Sequence, residues 1–78
     1  MDFRGVLRAR RRELGMTQLE LARVMEVTPT AISQWERGET HPSYKASSRL
    51  ARALGMSERD LFYPQEEPEE KEDRKNVP

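Results

Sequence analysis

Hydrophobic side chains recur every three to four residues along the first 63 positions and almost never alternate with polar ones. This spacing predicts helices rather than strands. The first predicted helix covers roughly residues 2–14, and Gly15 follows it where a left-handed residue closes a helix at little cost. Within this segment, residues spaced three to four positions apart lie on one side of the helix, namely Phe3, Leu7, Arg10 or Arg11, and Leu14.

A second helix is predicted to begin at Gln18, because Thr17 and Glu20 have the spacing of a capping box, in which each side chain accepts a hydrogen bond from the other's backbone N–H. It extends for about two turns and ends near residues 26–27. Its inward side is predicted to contain Leu19, Ala22 and Met25, with Leu21 nearby.

A third helix is predicted from Pro29 to about Arg37. Thr28 can cap it. Proline is favoured at the first helical position, because the backbone N–H that it lacks would have no acceptor within the helix there. Gly38 closes it. Only about three residues separate this helix from the second one, which suits two helices crossing at roughly 90 to 120 degrees.

The last two predicted helices start at serine caps. One follows Ser43 and ends at Gly55, with Tyr44, Ser47, Leu50, Ala51 and Leu54 along its length. A short final helix follows Ser57 and carries Leu61 and Phe62. Five short helices with tight connections predict an all-α, compact bundle over residues 1–63.

The third predicted helix has two different faces. Ile32 and Trp35 share one side, which predicts that they are buried. The opposite side carries polar residues at positions i, i+3, i+4 and i+7, namely Thr30, Ser33, Gln34 and Arg37. That side is rich in hydrogen-bonding groups and lacks the mixture of Glu and Lys found on an ordinary solvated helix. It is therefore a candidate binding surface.

Composition allows one small domain and no disulfide framework, since the chain has 78 residues, 35% hydrophobic positions and no cysteine. With neither an apolar run long enough to span a bilayer nor a secretory leader, a soluble, cytoplasmic protein is expected. The net charge of zero divides unevenly. Residues 1–63 contain eleven Lys or Arg against eight acids, and residues 64–78 contain three against six. A mildly basic body therefore precedes an acidic tail.

The tail, residues 64–78, has three prolines, no aromatic residue and Val77 as its only large apolar side chain. Such a segment cannot bury enough apolar surface to offset its loss of entropy on ordering, so a flexible tail is predicted. A second hypothesis is that its acids fold back and compete with an anionic ligand for the basic body.

Four segments together resemble a known family: TQLELA at 17–22, VTPTAISQWERG at 27–38, PS at 42–43 and RLARALGMSERDLF at 49–62. They are similar to the phage-repressor and Cro (XRE-type) helix-turn-helix DNA-binding family, and the similarity covers about residues 4–62. The resemblance implies a five-helix, lambda-repressor-like fold whose second helix lies across the DNA backbone while the third enters the major groove. It implies a sequence-specific DNA-binding transcriptional regulator, with repression as the expected action.

The resemblance also implies roles for individual residues. The expected base-reading residues are Pro29, Thr30, Ser33 and Gln34. The expected phosphate-binding residues are Thr17, Gln18, Arg37, Thr40, Ser43, Tyr44 and Lys45. Arg11 and Glu36 match the positions of a structural ion pair. The side-chain chemistry supports the base readers independently, since Gln can bond adenine through two atoms and Ser or Thr can bond several base edges.

Two positions depart from the family pattern. Glu26 stands in the turn where the family usually has Gly, because the backbone there tends to adopt a positive φ. A residue with a Cβ costs roughly 1 kcal/mol or more in that conformation, so either the turn is strained or it is reshaped. Pro29 stands where a polar base reader is common, so one base contact is apolar or lost.

A homodimer on a two-fold related operator, with half-sites about one helical turn apart, is also expected, because one copy of the third helix reads only a few base pairs and useful specificity requires two. The dimer contacts are expected around Met56, Leu61, Phe62 and Tyr63. Arg8 and Arg12 are further candidates for phosphate contact.

Other functions are weaker interpretations. The carboxylates Glu66, Glu67, Glu69 and Glu70 belong to the predicted flexible tail, where no fixed geometry could tune their pKa values for catalysis. His41 is the only histidine and has no cysteine beside it, so neither a metal site nor a catalytic triad is predicted. No enzyme activity, cofactor or small-molecule ligand is expected. The serious rival is a protein-interaction adaptor or antitoxin-like module that retains the fold.

Overall fold

The computed structural model describes residues 2–64, and within them the chain forms five α-helices and no strand. The helices are α1 (Phe3–Glu13), α2 (Gln18–Met25), α3 (Pro29–Arg37), α4 (Tyr44–Ala53) and α5 (Glu58–Phe62). The predicted all-α, five-helix fold is confirmed. The hypotheses about the acidic tail lie outside the described residues, apart from Pro64.

Each helix begins at a residue whose side-chain oxygen accepts a hydrogen bond from the backbone N–H three positions later. These capping residues are Asp2, Thr17, Thr28, Ser43 and Ser57. At α2 the capping box is complete, since Glu20 Oε1 also accepts from the Thr17 N–H at 2.8 Å. A cap of this kind stabilises a helix by about 1 kcal/mol. The start of each helix is therefore determined by local chemistry.

The core takes side chains from all five helices. Its buried apolar members are Leu7, Leu21, Ala22, Met25, Ile32, Trp35, Leu50, Ala51, Leu54 and Leu61. α2 packs against both α3 and α4, whereas α1 contacts α3 and α5. α3 is therefore held from two sides. Among residues 2–64, no helix combines the length and the apolar character needed to cross a bilayer.

Two leucines expected on core faces lie at the surface. Leu19 is 45% exposed, whereas Leu21, two positions along α2, is fully buried. Two residues apart on a helix are about 200 degrees apart around its axis, so both cannot face the core. The inward side of α2 follows Leu21, Ala22 and Met25, and the expectation for Leu19 was wrong. Leu14 is 42% exposed because it is the C-cap of α1, beyond the packed turns.

The turn between α2 and α3 keeps the left-handed geometry despite its glutamate. Glu26 has φ 60° and ψ 42°, and it is the one residue other than Gly with positive φ in the described part of the chain. Its N–H donates to Arg23 O at 3.2 Å, and the next N–H, of Val27, donates to Ala22 O at 3.0 Å. These bonds hold the turn, so the alternative of a reshaped turn is wrong. Glu26 is strained.

Replacing Glu26 with glycine should relieve this strain. Glu26→Gly is expected to raise the free energy of unfolding by about 1 kcal/mol, because glycine adopts positive φ without a Cβ clash. The Glu26 carboxylate is exposed, and its Oε1 lies 4.0 Å from Arg49 Nη2. An exposed ion pair this long contributes little to stability, so its loss does not offset the gain. Urea unfolding of both proteins measures the change.

A matched control places glycine where the backbone is an ordinary helix. Arg23→Gly, on the exposed side of α2, should lower the free energy of unfolding by about 1 kcal/mol. If both glycine variants lower the free energy of unfolding equally, the backbone at Glu26 is not strained.

Candidate nucleic-acid interface

The outward side of α3 is the face that the sequence singled out. Ile32 is fully buried and Trp35 is 6% exposed, so these two side chains anchor the helix to the core. The other side carries Thr30 and Arg37, which are exposed, and Ser33 and Gln34, which are half-buried. Pro29 at the first turn is exposed as well. All four residues expected to read bases are therefore accessible from solvent.

Behind this face lies a buried ion pair between α1 and α3. Arg11 Nε donates to Glu36 Oε2 at 2.6 Å, and Arg11 Nη2 donates to Oε1 at 3.1 Å. The same guanidinium uses Nη1 to reach Met16 O at 2.8 Å. The two side chains are only 10% and 1% exposed. Each charge is thus matched by several directed hydrogen bonds, as a buried pair requires.

Two more side chains converge on the same carboxylate. Gln18, the first residue of α2, donates from Nε2 to Glu36 Oε1 at 3.1 Å. Arg8 Nε lies 3.5 Å from that oxygen. Gln18 was expected to contact a phosphate, and the structure ties it to α3 through Glu36. The start of α2 and the exposed face of α3 are therefore held in one arrangement.

The pKa of Glu36 reflects this environment. Burial acts to raise the pKa, but hydrogen bonds from Arg11 and Gln18, together with the charges of Arg11 and Arg8, outweigh burial. The pKa of Glu36 therefore lies below its usual value, and the carboxylate is charged at neutral pH.

A second ion pair lies on the outward face itself. Arg37 Nε donates to Glu39 Oε2 at 2.7 Å, and Arg37 Nη2 donates to Glu39 Oε1 at 3.1 Å. Arg37 Nη1 also donates to the hydroxyl of Ser33, one helical turn earlier. The hydrogen bond from Arg37 holds the pKa of Glu39 below its ordinary value. Two expected DNA contacts, Ser33 and Arg37, are thus linked to each other and to an acid.

The remaining expected phosphate contacts lie at helix starts and in the loop between α3 and α4. Thr40, Tyr44 and Lys45 are exposed in the loop and first turn after α3, and Tyr44 is 90% exposed. The hydroxyls of Ser43 and Thr17 accept hydrogen bonds from Ala46 N and Glu20 N, as N-caps.

Sequence reasoning missed Glu39 and Arg4. Arg4 Nη1 donates to Arg37 O at 3.4 Å, while its Nη2 pairs with Asp2 at 2.9 Å. The Arg4 side chain also lies against Gly38, where an added Cβ would come 2.5 Å from Arg4 Cδ. One signal was available for Glu39: a glycine closing a helix sharply reverses the chain, which brings opposite charges on either side of it together.

The segment expected to form dimer contacts is partly inside the domain. Leu61 is fully buried, so that expectation was wrong for this residue. It faces inward because α5 is short and must anchor through its one large buried side chain. Phe62 stacks on Phe3 with ring centroids 4.6 Å apart, and His41 packs against both rings. Tyr63 remains 74% exposed.

The chain belongs to the helix-turn-helix family, whose model matches residues 7–61. The family expected from the sequence motifs is confirmed. A helix-turn-helix-type transcriptional regulator of Methanothermobacter thermautotrophicus is 43% identical over 61 residues, which cover 77% of this chain and 88% of that protein.

Similarity extends to phage repressors. Repressor protein C2 of Salmonella phage P22 is 43% identical over 51 residues, which cover 65% of this chain and 24% of that protein. This chain thus matches about a quarter of the length of that repressor. A crystal structure of the P22 c2 repressor in complex with a synthetic operator has a TM-score of 0.81 and 35% identity, covering 83% of this chain and 98% of that one.

Removing one partner of the buried pair should destabilise the fold strongly. Arg11→Met leaves the Glu36 charge buried without its main partner and is expected to cost about 3 kcal/mol in urea unfolding. Arg12→Met, an exposed neighbour, should change stability by less than about 0.5 kcal/mol. The double variant Arg11→Met, Glu36→Leu should recover much of the loss. Equal stability of Arg11→Met and Arg12→Met would refute the contribution of the pair.

The lowered pKa of Glu36 gives a pH test. A carboxylate whose pKa is lower in the folded state stabilises the protein above its unfolded pKa, and this contribution is lost as pH falls through the folded value. The stability difference between the parent and Glu36→Gln should therefore be largest near neutral pH and shrink below about pH 4.5, the usual value for Glu. A difference that stays constant down to about pH 2 would contradict the assignment.

Proposed function

We propose that this protein is a sequence-specific DNA-binding transcriptional regulator that acts as a repressor, with α3 inserted into the major groove. The observation that carries the proposal is the outward side of α3, a row of hydrogen-bonding side chains on a helix anchored by buried Ile32 and Trp35. Helix-turn-helix proteins read base edges with a helix presented in this way. The operator complex of the similar P22 c2 repressor supports the same use of the fold.

The proposed division of labour follows from side-chain chemistry. Gln34 is the principal base reader, because its amide can both donate to and accept from one adenine edge. Ser33 and Thr30 bond neighbouring base edges, and Pro29 offers an apolar contact to a thymine methyl group. The exposure of these side chains in the free domain is compatible with these roles.

Phosphate contacts fix the position of α3 in the groove without reading sequence. We assign this role to Thr17, Gln18, Arg37, Thr40, Ser43, Tyr44 and Lys45. They lie at the start of α2, at the end of α3 and across the loop into α4. Gln18 is already held by the Glu36 carboxylate, so it is positioned before DNA arrives.

The proposal includes a homodimer on a two-fold related operator with half-sites about one helical turn apart. With Leu61 buried, the exposed Tyr63 and the partly exposed Met56 and Phe62 are the candidate contacts. We propose a cytoplasmic, non-enzymatic protein that needs no cofactor. We also propose that residues 1–63 form the DNA-binding domain and that residues 64–78 are a separate acidic segment.

The rival function is a protein-interaction adaptor built on the same fold. Two observations favour DNA: α3 presents hydrogen-bonding groups and no large exposed hydrophobic residue, and the similar P22 c2 repressor is known bound to operator DNA. Salt titration separates the two, since DNA affinity falls steeply with salt in proportion to the number of phosphate contacts.

Selection of bound duplexes from a random library tests the proposed function. The parent protein should select an inverted repeat, which also tests the dimer. Gln34→Ala should lose preference at one position of each half-site and lose about 1 to 3 kcal/mol of affinity for the parent operator.

Lys45→Ala is the matched control, because a phosphate contact carries no sequence information. It should weaken binding to every duplex alike and reduce the salt slope by about 1. If Gln34→Ala loses the same affinity for every duplex, Gln34 positions the protein on DNA and does not read a base. A selected site without two-fold symmetry would count against the dimer, and failure to enrich any duplex would reject the DNA-binding function.

A further inference from the structure

The cation on the outward side of α3 is neutralised by the domain itself. Arg37 donates from Nε and Nη2 to the two carboxylate oxygens of Glu39, at 2.7 and 3.1 Å. Its third nitrogen, Nη1, donates a hydrogen bond to the Ser33 hydroxyl. This uses all three nitrogens of the guanidinium. Both charged side chains remain about half exposed, at 49% and 51%. The pair therefore lies at the surface where a phosphate would have to approach Arg37.

The backbone places Glu39 in this position. Gly38 has φ 77°, and the following N–H, of Glu39, turns back to donate to Gln34 O at 2.9 Å. Arg4 fills the space beside Gly38 and reaches Arg37 O. The chain is therefore held by two contacts where it reverses. The backbone conformation therefore places the Glu39 carboxylate beside Arg37.

We propose that Glu39 is an internal competitor for Arg37, holding its guanidinium until a DNA phosphate displaces the carboxylate, so that Glu39 lowers the affinity for every duplex. The inference rests on the proposed DNA-binding function and adds to it a residue that sets the overall affinity. Glu39 itself needs no contact with DNA.

The energetics suit a displaceable competitor. An exposed ion pair is worth little, about 0 to 1 kcal/mol, so a phosphate can replace the carboxylate at small cost. The cost of breaking the pair is subtracted from the phosphate contact that Arg37 makes in the complex. A phosphate contact is a sequence-independent contribution to affinity. Glu39 therefore lowers the affinity for every duplex by the same factor and leaves the preference set by the base contacts unchanged.

The test compares Glu39→Gln with Glu13→Gln. Both replace an exposed glutamate that is paired with an arginine, and both change the net charge equally. Glu13 is suited as the control because its partner, Arg10, is bound to Leu54 O at the end of α4, away from α3. Each change is also made together with Arg37→Ala. Affinity for the selected operator and for an unrelated duplex is measured between 50 and 200 mM salt, and urea unfolding checks the fold.

With Arg37 present, Glu39→Gln should bind both duplexes more tightly than Glu13→Gln does. The gain should be at most about fivefold, the equivalent of an exposed ion pair, and it should shrink as salt rises because salt screens the pair that the parent has to break. The gain should be the same factor on both duplexes, since a phosphate contact carries no sequence information. In the Arg37→Ala background the two variants should be equal.

Three results would overturn the inference while leaving the proposed function intact. Equal affinities of the two glutamine variants with Arg37 present would mean that Glu39 does not restrain Arg37. An undiminished gain in the Arg37→Ala background would mean that Glu39 only repels phosphate directly. Weaker binding by Glu39→Gln would mean that Glu39 prepares Arg37 for contact. Absence of salt-dependent binding by the parent protein would reject the proposed function and this inference with it.

Discussion

The buried carboxylate of Glu36 is the constraint on which the arrangement of this domain depends. A charge with 1% of its side chain exposed is tolerable only when directed donors surround it, and here the donors come from α1 and α2 while the acid belongs to α3. Three helices therefore have to meet at one point. Together with neighbouring Trp35, Glu36 determines which side of α3 faces inward. The polar side chains of Thr30, Ser33, Gln34 and Arg37 are left on the outward side.

Features that depend on adjacent residues could be predicted from the sequence. The bounds of α3 follow from a threonine cap, a proline at the first position and a closing glycine, all within one short segment. The strain at Glu26 could also be anticipated, since the family pattern demands a left-handed residue there. Which leucine of α2 is buried could not, because Leu19 and Leu21 are equally apolar and only contacts with α3 and α4 decide the phase of the helix.

The candidate site divides in the same way. The row of polar residues on α3 follows from helical periodicity, and the Arg11–Glu36 pair, expected from the family resemblance, is present. The bond from Gln18 to the same carboxylate joins residues 18 positions apart, and no periodic pattern contains it. The contact between Arg37 and Glu39 spans a helix end, where helical spacing no longer applies. Polar networks of this kind depend on tertiary placement.

Charge pairing inside the domain has a consequence for a regulator of the proposed kind. Arg4, Arg11 and Arg37 each pair with an acid, so part of the positive charge of the body is neutralised within the domain. A weak phosphate interaction lowers affinity for all DNA equally, whereas contacts from Gln34 and its neighbours act only at the correct bases. The base contacts therefore determine the ratio of affinities for correct and incorrect sites, while the phosphate contacts determine the total affinity. Two domains bound to one operator can restore that affinity, because the second domain binds at high effective concentration. A monomeric reader with the same charge pattern would have no such compensation.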